Sequence, residues 1–375
     1  MKKLIIIFSL IVLINTISFS QSCLPEGIHF TSQAQIDNFQ VNYPNCTEIL
    51  GSVWLEGDPP TDITNLNGLN VLTSLGGNLW IGSSMWPGGC IGLQDLTNLS
   101  GLNNVISIGG NFHLCGCPLI ADLAGLESLA SVGGGIFIYD NWLLSSLSGL
   151  ENLDSIGYSL MIGEVTEMGN THGNKSLKSI SALENLTYVG LSIQFAGNDS
   201  LSSLAGLENL TSIGGYLWII ENGTLTSLAG LENIAAASID SLAIVNNNLL
   251  STCDVQSICE YLAAPNGTNI IEDNAPGCNN PVEVEEACES NGVEENIHEC
   301  QISIYPNPAT DNLTISNNDR LKIESVNIYN QVGQKVLQIN EIGETIDIST
   351  LGQGIYIIEL TSSELKIRQK LIIEE

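Results

Sequence analysis

The stretch LTSIGGYLWIIENGTLTSLAGLENI, residues 210–234, combines a double glycine, a short run in which Leu217 and Ile219 flank Trp218, an asparagine, and leucines three residues apart. The alternation across 216–220 has the period of a β-strand, whose successive side chains point to opposite faces. Leu217 and Ile219 then face a core, and Trp218 faces away from it. A helix fits poorly, because paired glycines would interrupt it and the apolar spacing beside them is two.

The stretch is one copy of a repeat. A Gly-Leu or Ala-Leu doublet ends at Leu69, Leu102, Leu126, Leu150, Leu183, Leu207 and Leu231, at spacings of 33, 24, 24, 33, 24 and 24. The longer steps are one period plus an insertion, SSMWPGGCI near 83–91 and GEVTEMGNTHGN around 163–174. Aligned on the glycines, GGNLWIG (76–82), GGNFHLC (109–115), GGGIFIY (133–139), GYSLMIG (157–163), GLSIQFA (190–196) and GGYLWII (214–220) repeat the strand, with GSVWLEG (51–57) before and IDSLAIV (239–245) after. Asn141, Asn198, Asn222 and Asn247 follow their strands, then Leu-x-Ser-Leu and the Gly-Leu doublet. Three apolar sides joined by tight turns describe one coil, which cannot bury its leucines alone, so stacked coils must supply the core. Eight strands, near 53, 80, 113, 137, 161, 194, 218 and 243, are expected to stack in register. The paired glycines are expected to be positive-φ corners entering each strand. The sequons at Asn98, Asn185 and Asn209 fall at repeat positions and need carry no glycan.

Residues 1–20, MKKLIIIFSLIVLINTISFS, read as a secretory signal peptide, too short in its apolar core for a span, and no later segment is long and apolar enough to be one. All ten cysteines lie beyond it, in a chain bound for an oxidising compartment, so disulfides are expected. Zinc is disfavoured by the lack of any CxxC pair. Residues 21–300 hold 31 acidic side chains against Lys175 and Lys178, a net of −29, whereas 301–375 hold 10 against 6, a net of −4. Nucleic acid, acidic polysaccharide and anionic lipid are thereby disfavoured as partners of the larger region. Solubility in a salty medium accounts for the acidity, and no Asp-x-Asp-x-Asp-Gly loop specifies calcium. No cofactor or metal is expected.

NCTEILGSVWLEG followed by DITNLNGLNVLTSLGGNLWI, with the order LxIxxNxxLxSL, resembles the start of a receptor L-domain, the leucine-rich ligand-binding module of growth-factor receptors, over about 45–250. The resemblance implies a mainly β chain built as a leucine-rich-repeat-like, right-handed β-solenoid, and only the binding module of those receptors. Residues 250–290, with Cys253, Cys259, Cys278 and Cys288, should cap one end of a solenoid domain spanning 21–290, and Cys23 with Cys46 the other. The expected pairs are Cys23 with Cys46, the four C-terminal cap cysteines among themselves, and Cys90 with Cys115 or Cys117; the partner of Cys300 stays open. The acidic run 283–299 reads as a hinge, with the linker at 291–301.

From 302 the sequence turns to short alternating strands with Asn, Gly and Asp turns, the pattern of a small β-sandwich. Tyr305-Pro306-Asn307-Pro308, IYNQVGQKV with Gly333, GIYIIEL with Gly354 and Tyr356, and the closing strand with Lys370 resemble the C-terminal sorting domain of the type IX secretion system of Bacteroidetes over 302–375. That resemblance implies the type IX machinery as a partner and a secreted or outer-surface location in a Gram-negative bacterium.

The competing functions are secreted β-helix enzymes acting on polysaccharide, by lysis or hydrolysis, and structural surface-layer proteins. Polysaccharide enzymes need clustered carboxylates, or a carboxylate with arginine. The outward strand positions are instead Trp54, Trp80, His113, Phe137, Met161, Gln194, Trp218 and Ala243, with no acid among them, and the four histidines are scattered in sequence. The reading is therefore a non-catalytic binding or adhesion module, with Trp54, Trp80, His113, Phe137, Met161 and Trp218 as an exposed face for an extracellular glycan or protein. Two acidic side chains converging over one groove would count against it.

Overall fold

The computed structural model describes residues 21–56, 61–85, 89–166, 169–291, 302–317, 323–330, 334–339, 345–362 and 366–374. The signal peptide at 1–20, Cys300, Gly333 and the linker residues 292–301 lie outside them. The chain is mainly β, in several sheets, and divides after Asn291 into two units, each with its own apolar core.

In the first unit each repeat adds one strand to each of two parallel sheets. The larger sheet runs, in chain order, through Ile28–Phe30, Val53–Leu55, Leu79–Ile81, Phe112–Cys115, Ile136–Tyr139, Leu160–Ile162, Ile193–Ala196, Tyr216–Ile220, Ser241–Val245 and Asn269–Glu272. The eight strands expected from the repeat are all present in register, and the sheet gains one more at each end. The second sheet has eight shorter strands, from Gln21–Cys23 to Ser212–Ile213.

Most of the leucines that recur every third residue close a turn on the residue three before: Leu225 N–H donates to Asn222, Leu231 to Leu228 and Ile234 to Leu231, at 3.1, 3.2 and 3.3 Å, whereas Leu228 N–H donates to the Thr252 carbonyl of the next coil at 2.9 Å. Their side chains, with Leu217 and Ile219, are at most 1% exposed. One coil has no second layer of its own, so each leucine is buried by the coils above and below it.

The paired glycines do a different job from the one expected. None of Gly76, Gly77, Gly109, Gly110, Gly133, Gly134, Gly214 or Gly215 has positive φ; the left-handed residues come after the strand, at Gly116, Asp140, Gly197, Glu221, Asn246 and Asp273. A Cβ on Gly109 would lie 2.3 Å from the carbonyl oxygen of Gly76, on Gly133 2.4 Å from that of Gly109, and on Gly214 2.3 Å from that of Gly190. Glycine stacks on glycine because adjacent coils touch there backbone to backbone.

From Asn141 to Asn274 the corner of each coil is followed by an asparagine, half-buried at Asn274 and buried in the others, that reaches to its neighbours in the stack. Asn198 Nδ2 donates to the Ile162 carbonyl at 2.8 Å and to Asn222 Oδ1 at 3.3 Å, while its own Oδ1 accepts from the Asn174 backbone N–H at 3.1 Å. The same set recurs from Asn141 through Asn174, Asn198, Asn222 and Asn247 to Asn274. Asn174 and Asn274 were not among the repeat asparagines read from the sequence, since the second insertion and the cap displace them from their strands.

Part of the acidity is structural. Glu151, Glu208 and Glu232, two residues beyond their glycines, each accept the N–H of that glycine at 2.8 Å. The sequon residues Asn185 and Asn209 donate to carbonyls of the preceding coil, Glu151 and Glu184, at 2.6 and 2.7 Å.

The disulfides are Cys23–Cys46, Cys90–Cys115, Cys253–Cys278 and Cys259–Cys288, with Cα separations of 5.6–5.7 Å. Cys117, grouped above with the disulfide cysteines, is instead a free, fully buried thiol whose pKa is pushed up to about 12 by burial. It stands 24 residues before Asn141, in the asparagine position of its coil, and its backbone N–H donates to Asn141 Oδ1 at 3.0 Å. The ladder claims this position, leaving Cys115 on the strand to reach Cys90. The acidic hinge also needs correction: its first part belongs to the helix Pro281–Asn291, which buries Val284 and carries Cys288.

In the second unit, an antiparallel sheet of Ile302–Tyr305, Asn312–Asn317 and Thr345–Asp347 and another of Lys335–Ile339, Ile323–Tyr329, Gly354–Ser362 and Lys366–Ile373 share one core that includes Leu313, Val326, Ile328, Ile358 and Leu371.

Replacing Asn198 with alanine strands the Asn174 N–H and the Ile162 carbonyl in a dry interior. Each orphaned group costs about 1–3 kcal/mol, so Asn198→Ala is expected to lose roughly 2–5 kcal/mol in urea unfolding, whereas alanine at the exposed Asn185 loses far less.

Candidate functional site

The outward positions of the larger sheet form one unbroken column: His29, Trp54, Trp80, His113, Phe137, Met161, Gln194, Trp218, Ala243 and Ile270, each directly opposite the next. All the expected ladder residues are brought together, and the column is longer by His29 and Ile270. These two lie on strands inside the caps, where the repeat pattern had faded.

Stacking of strands also stacks rings. His113 lies between Trp80, at a ring distance of 3.5 Å and an interplanar angle of 4°, and Phe137, at 4.5 Å and 7°; His29 stacks on Trp54 at 4.2 Å and 13°. Within these two stacks the rings turn mainly their edges outward, whereas Trp218 lies opposite Gln194 and Ala243, with the Tyr216 ring tilted against it at 4.2 Å and 32°. Trp54, Trp80, Phe137, Met161 and Trp218 are half-buried.

His113, read above as part of an exposed face, is only 8% exposed. Neither ring nitrogen has a hydrogen-bond partner, and desolvation lowers its pKa to about 4. It serves as a neutral flat ring between two aromatic neighbours.

The insertions converge at the edge where the strands end. The first returns as an antiparallel pair, Ser83–Met85 with Gly89–Ile91, tied to the next coil by Cys90–Cys115. The second pairs Glu164–Val165 with Thr171–His172, and it is pinned by His172 Nδ1 to Asp140 Oδ2 at 2.9 Å and by Thr171 Oγ1 donating to Glu221 at 2.6 Å. Two coils without insertions lie between them, forming the floor of a cleft of about 370 Å³ lined by Cys90, Gln94, Pro118, Asp140, Trp142 and His172. Burial raises the pKa of Glu164, with His172 opposing and Asp140 reinforcing the shift. Asp140 and His172 thus meet in the cleft, with Glu164 beside them on the strand opposite His172, although their sequence positions, 140, 164 and 172, gave no sign of it.

Among the described residues no group of three or more His, Cys, Asp or Glu is placed to hold a metal ion, and no helix is long and apolar enough to cross a membrane.

In the second unit, Asn307 joins the two ends of the domain: its Nδ2 donates to the Lys370 carbonyl at 2.7 Å and its Oδ1 accepts the Ile372 N–H at 2.9 Å. Tyr305, Pro306 and Pro308 beside it are exposed, Gly354 opens a strand, and Tyr356 donates its hydroxyl proton to the Gly352 carbonyl at 2.9 Å. Residues 303–374 match the family described as the secretion system C-terminal sorting domain. The protein is secreted or displayed at the cell surface. The domain is that of the type IX system of Bacteroidetes, so the type IX machinery is a partner.

Two curated relatives share 38% identity with the C-terminal region: a beta-agarase D of Zobellia galactanivorans over 76 residues and an endo-acting ulvan lyase of Formosa agariphila over 93. The matches cover 20% and 24% of this chain, and the chain spans only 15% and 18% of those relatives' lengths.

Two outcomes follow. The lowered His113 pKa means that above pH ~6.5 folded and unfolded chains both hold it neutral, while between about 6.5 and 4 only the unfolded chain takes the proton. Stability falls as pH drops through that window and levels off below it. The contribution between pH 7 and 5 is roughly 2 kcal/mol, and His113→Phe, which keeps the stack, should remove it in urea unfolding compared at the two pH values. Deleting 302–375 should leave the protein in the periplasm with its first unit folded, as fractionation and circular dichroism would report.

Proposed function

We propose that residues 21–291 form a leucine-rich, right-handed β-solenoid of the receptor L-domain kind, a non-catalytic adhesion module whose ladder face docks an extracellular protein. The observation that carries this is the continuous outward column, with Trp54, Trp80, Phe137, Met161 and Trp218 left half-exposed on a strongly acidic surface. Large apolar side chains held half-exposed along one sheet face mark an interaction site, and aromatic anchors dominate binding hot spots. Because the rings of Trp54, Trp80 and Phe137 spend faces on their histidine neighbours, this part of the column offers mainly edges, which suit a complementary protein surface better than the flat face of a sugar. The net charge favours a neutral or basic partner.

A second reading, a secreted enzyme acting on polysaccharide, is favoured by the meeting of Asp140, Glu164 and His172 at the cleft. The relatives named as an agarase and a lyase add little, since their likeness is confined to the C-terminal region. Elimination from a uronate needs a cation near the sugar carboxylate, and neither Lys175 nor Lys178 lines the cleft, so hydrolysis of a neutral glycan is the form this reading takes. Release of reducing ends from neutral polysaccharide, lost in Glu164→Gln, would decide for it.

The ladder is tested by binding of the mature protein to arrayed extracellular-matrix and cell-surface proteins. Trp218→Ala is expected to weaken binding about tenfold or more, the loss of one aromatic anchor, with an unchanged melting temperature. Trp80→Ala is expected to lose stability as well, since it uncovers His113. Full binding by Trp218→Ala would make the ladder structural only.

A further inference from the structure

The cleft between the insertions has the features that the ladder lacks. Trp142 follows the ladder residue Asn141 and is 68% exposed. Leu119 and Leu143, at the same repeat position of adjacent coils, are 41% and 52% exposed beside it. Among the described residues no ring stacks on Trp142, in contrast to Trp54 and Trp80, so they leave an indole face open to a ligand. Facing into the same cleft, Asp140 and His172 bond to each other through Oδ2 and Nδ1. The second carboxylate oxygen and the imidazole Nε2 carry no hydrogen bond from the described residues. Gln94 holds its amide nitrogen against the Gly92 and Gly116 carbonyls at 3.2 and 3.3 Å, which directs its oxygen elsewhere.

The volume, about 370 Å³, falls within the ~300–1,000 Å³ usual for small-ligand sites. The described part of each wall is tied down, one by the Cys90–Cys115 disulfide and the other by the contacts of Thr171 and His172, which lowers the ordering that opposes binding. One apolar platform beside a few unspent donors and acceptors matches a molecule with an apolar face and a hydroxylated rim. The electrostatics select within that class. The lysine nearest in the repeat, Lys175, stands one coil beyond Trp142 and is paired with Asp199 at 3.1 Å, while the cleft lining includes the acid Asp140 and no lysine or arginine.

We propose that this cleft binds a short stretch of an uncharged polysaccharide. The C–H face of one sugar lies on Trp142, its hydrogens meeting the negative face of the indole. Its hydroxyls donate to the free Asp140 oxygen and bond to His172 Nε2, the first a charge-assisted contact. Sulfated and uronate polymers are repelled. The proposal rests on the reading of the array as a binding module, though not on the ladder being the docking face.

The test is intrinsic-fluorescence and calorimetric titration of the mature protein with soluble neutral hexasaccharides of the galactan, glucan, mannan and xylan types, with sulfated and uronate oligosaccharides alongside. At least one neutral series should bind saturably and the anionic ones should not. Trp142→Ala should weaken binding at least tenfold, and Asp140→Asn should do so too while keeping the fold, because asparagine tolerates the left-handed backbone at φ +57°. Trp218→Ala should bind the sugar as wild type does, which separates this site from the ladder. Cleavage of the bound sugar would uphold the site and move the protein to the enzymatic reading. Absence of binding by every neutral series, tighter binding of the anionic ones, or undiminished binding by a folded Trp142→Ala would overturn the proposal.

Discussion

A polypeptide that turns a corner at the end of every strand leaves backbone N–H and carbonyl groups pointing into its own core, and buried groups of that kind must be paired. The asparagine ladder from Asn141 to Asn274 supplies the pairs. Each amide accepts a backbone N–H from the coil before and donates to a carbonyl of that coil, and Asn141, Asn222 and Asn247 donate to a carbonyl of their own strand as well, so each corner is satisfied jointly with its neighbour. The dependence is mutual along the stack. It fixes the stagger of successive strands, and thereby brings Trp80, His113 and Phe137 into ring contact and the two insertions to the same edge.

That constraint separates two kinds of aromatic residue. Those on the strands are packed ring to ring and contribute to the fold as well as to a surface; His113 has given up solvent and hydrogen bonds to stay in the column. Trp142 sits at a corner, where successive coils present Pro118, Trp142 and Lys175 and no flat neighbour is at hand. Its exposure has no packing purpose in the repeat. The asymmetry also explains why the insertions matter: they wall off the corner face of two coils while leaving the strand column in place.

Division of labour along the chain is equally physical. Among the described residues the first unit holds the four disulfides and a core that passes without a break through both of its caps. The sorting domain closes on itself through Asn307, which ties the entry of the domain to its last strand, and Ala309 extends that tie to Ile372 and Glu374. Its exposed Tyr305 and prolines therefore stand on a fixed frame.

Much of this was legible in the sequence because the repeat is strict. A period of 24 with alternating apolar residues at 217 and 219 leaves one way to bury the leucines, so the stacked parallel strands and the column of outward residues follow from local pattern alone. The sorting domain and the Cys23–Cys46 pair were readable too, whereas the pairing within the C-terminal cap and the choice of Cys115 over Cys117 for Cys90 were not. What only tertiary structure decided lies between coils. Paired glycines looked like corners, yet their role is close contact with the backbone of the coil before, which no single repeat reveals. Cys117 looked like a disulfide partner, yet the ladder needed its position. Asp140, Glu164 and His172 are separated by an insertion in the sequence and meet only because that insertion folds back over the neighbouring coil. The ring faces of the ladder, open in a list of outward residues, are closed by strands set side by side, at a separation close to the thickness of two stacked rings.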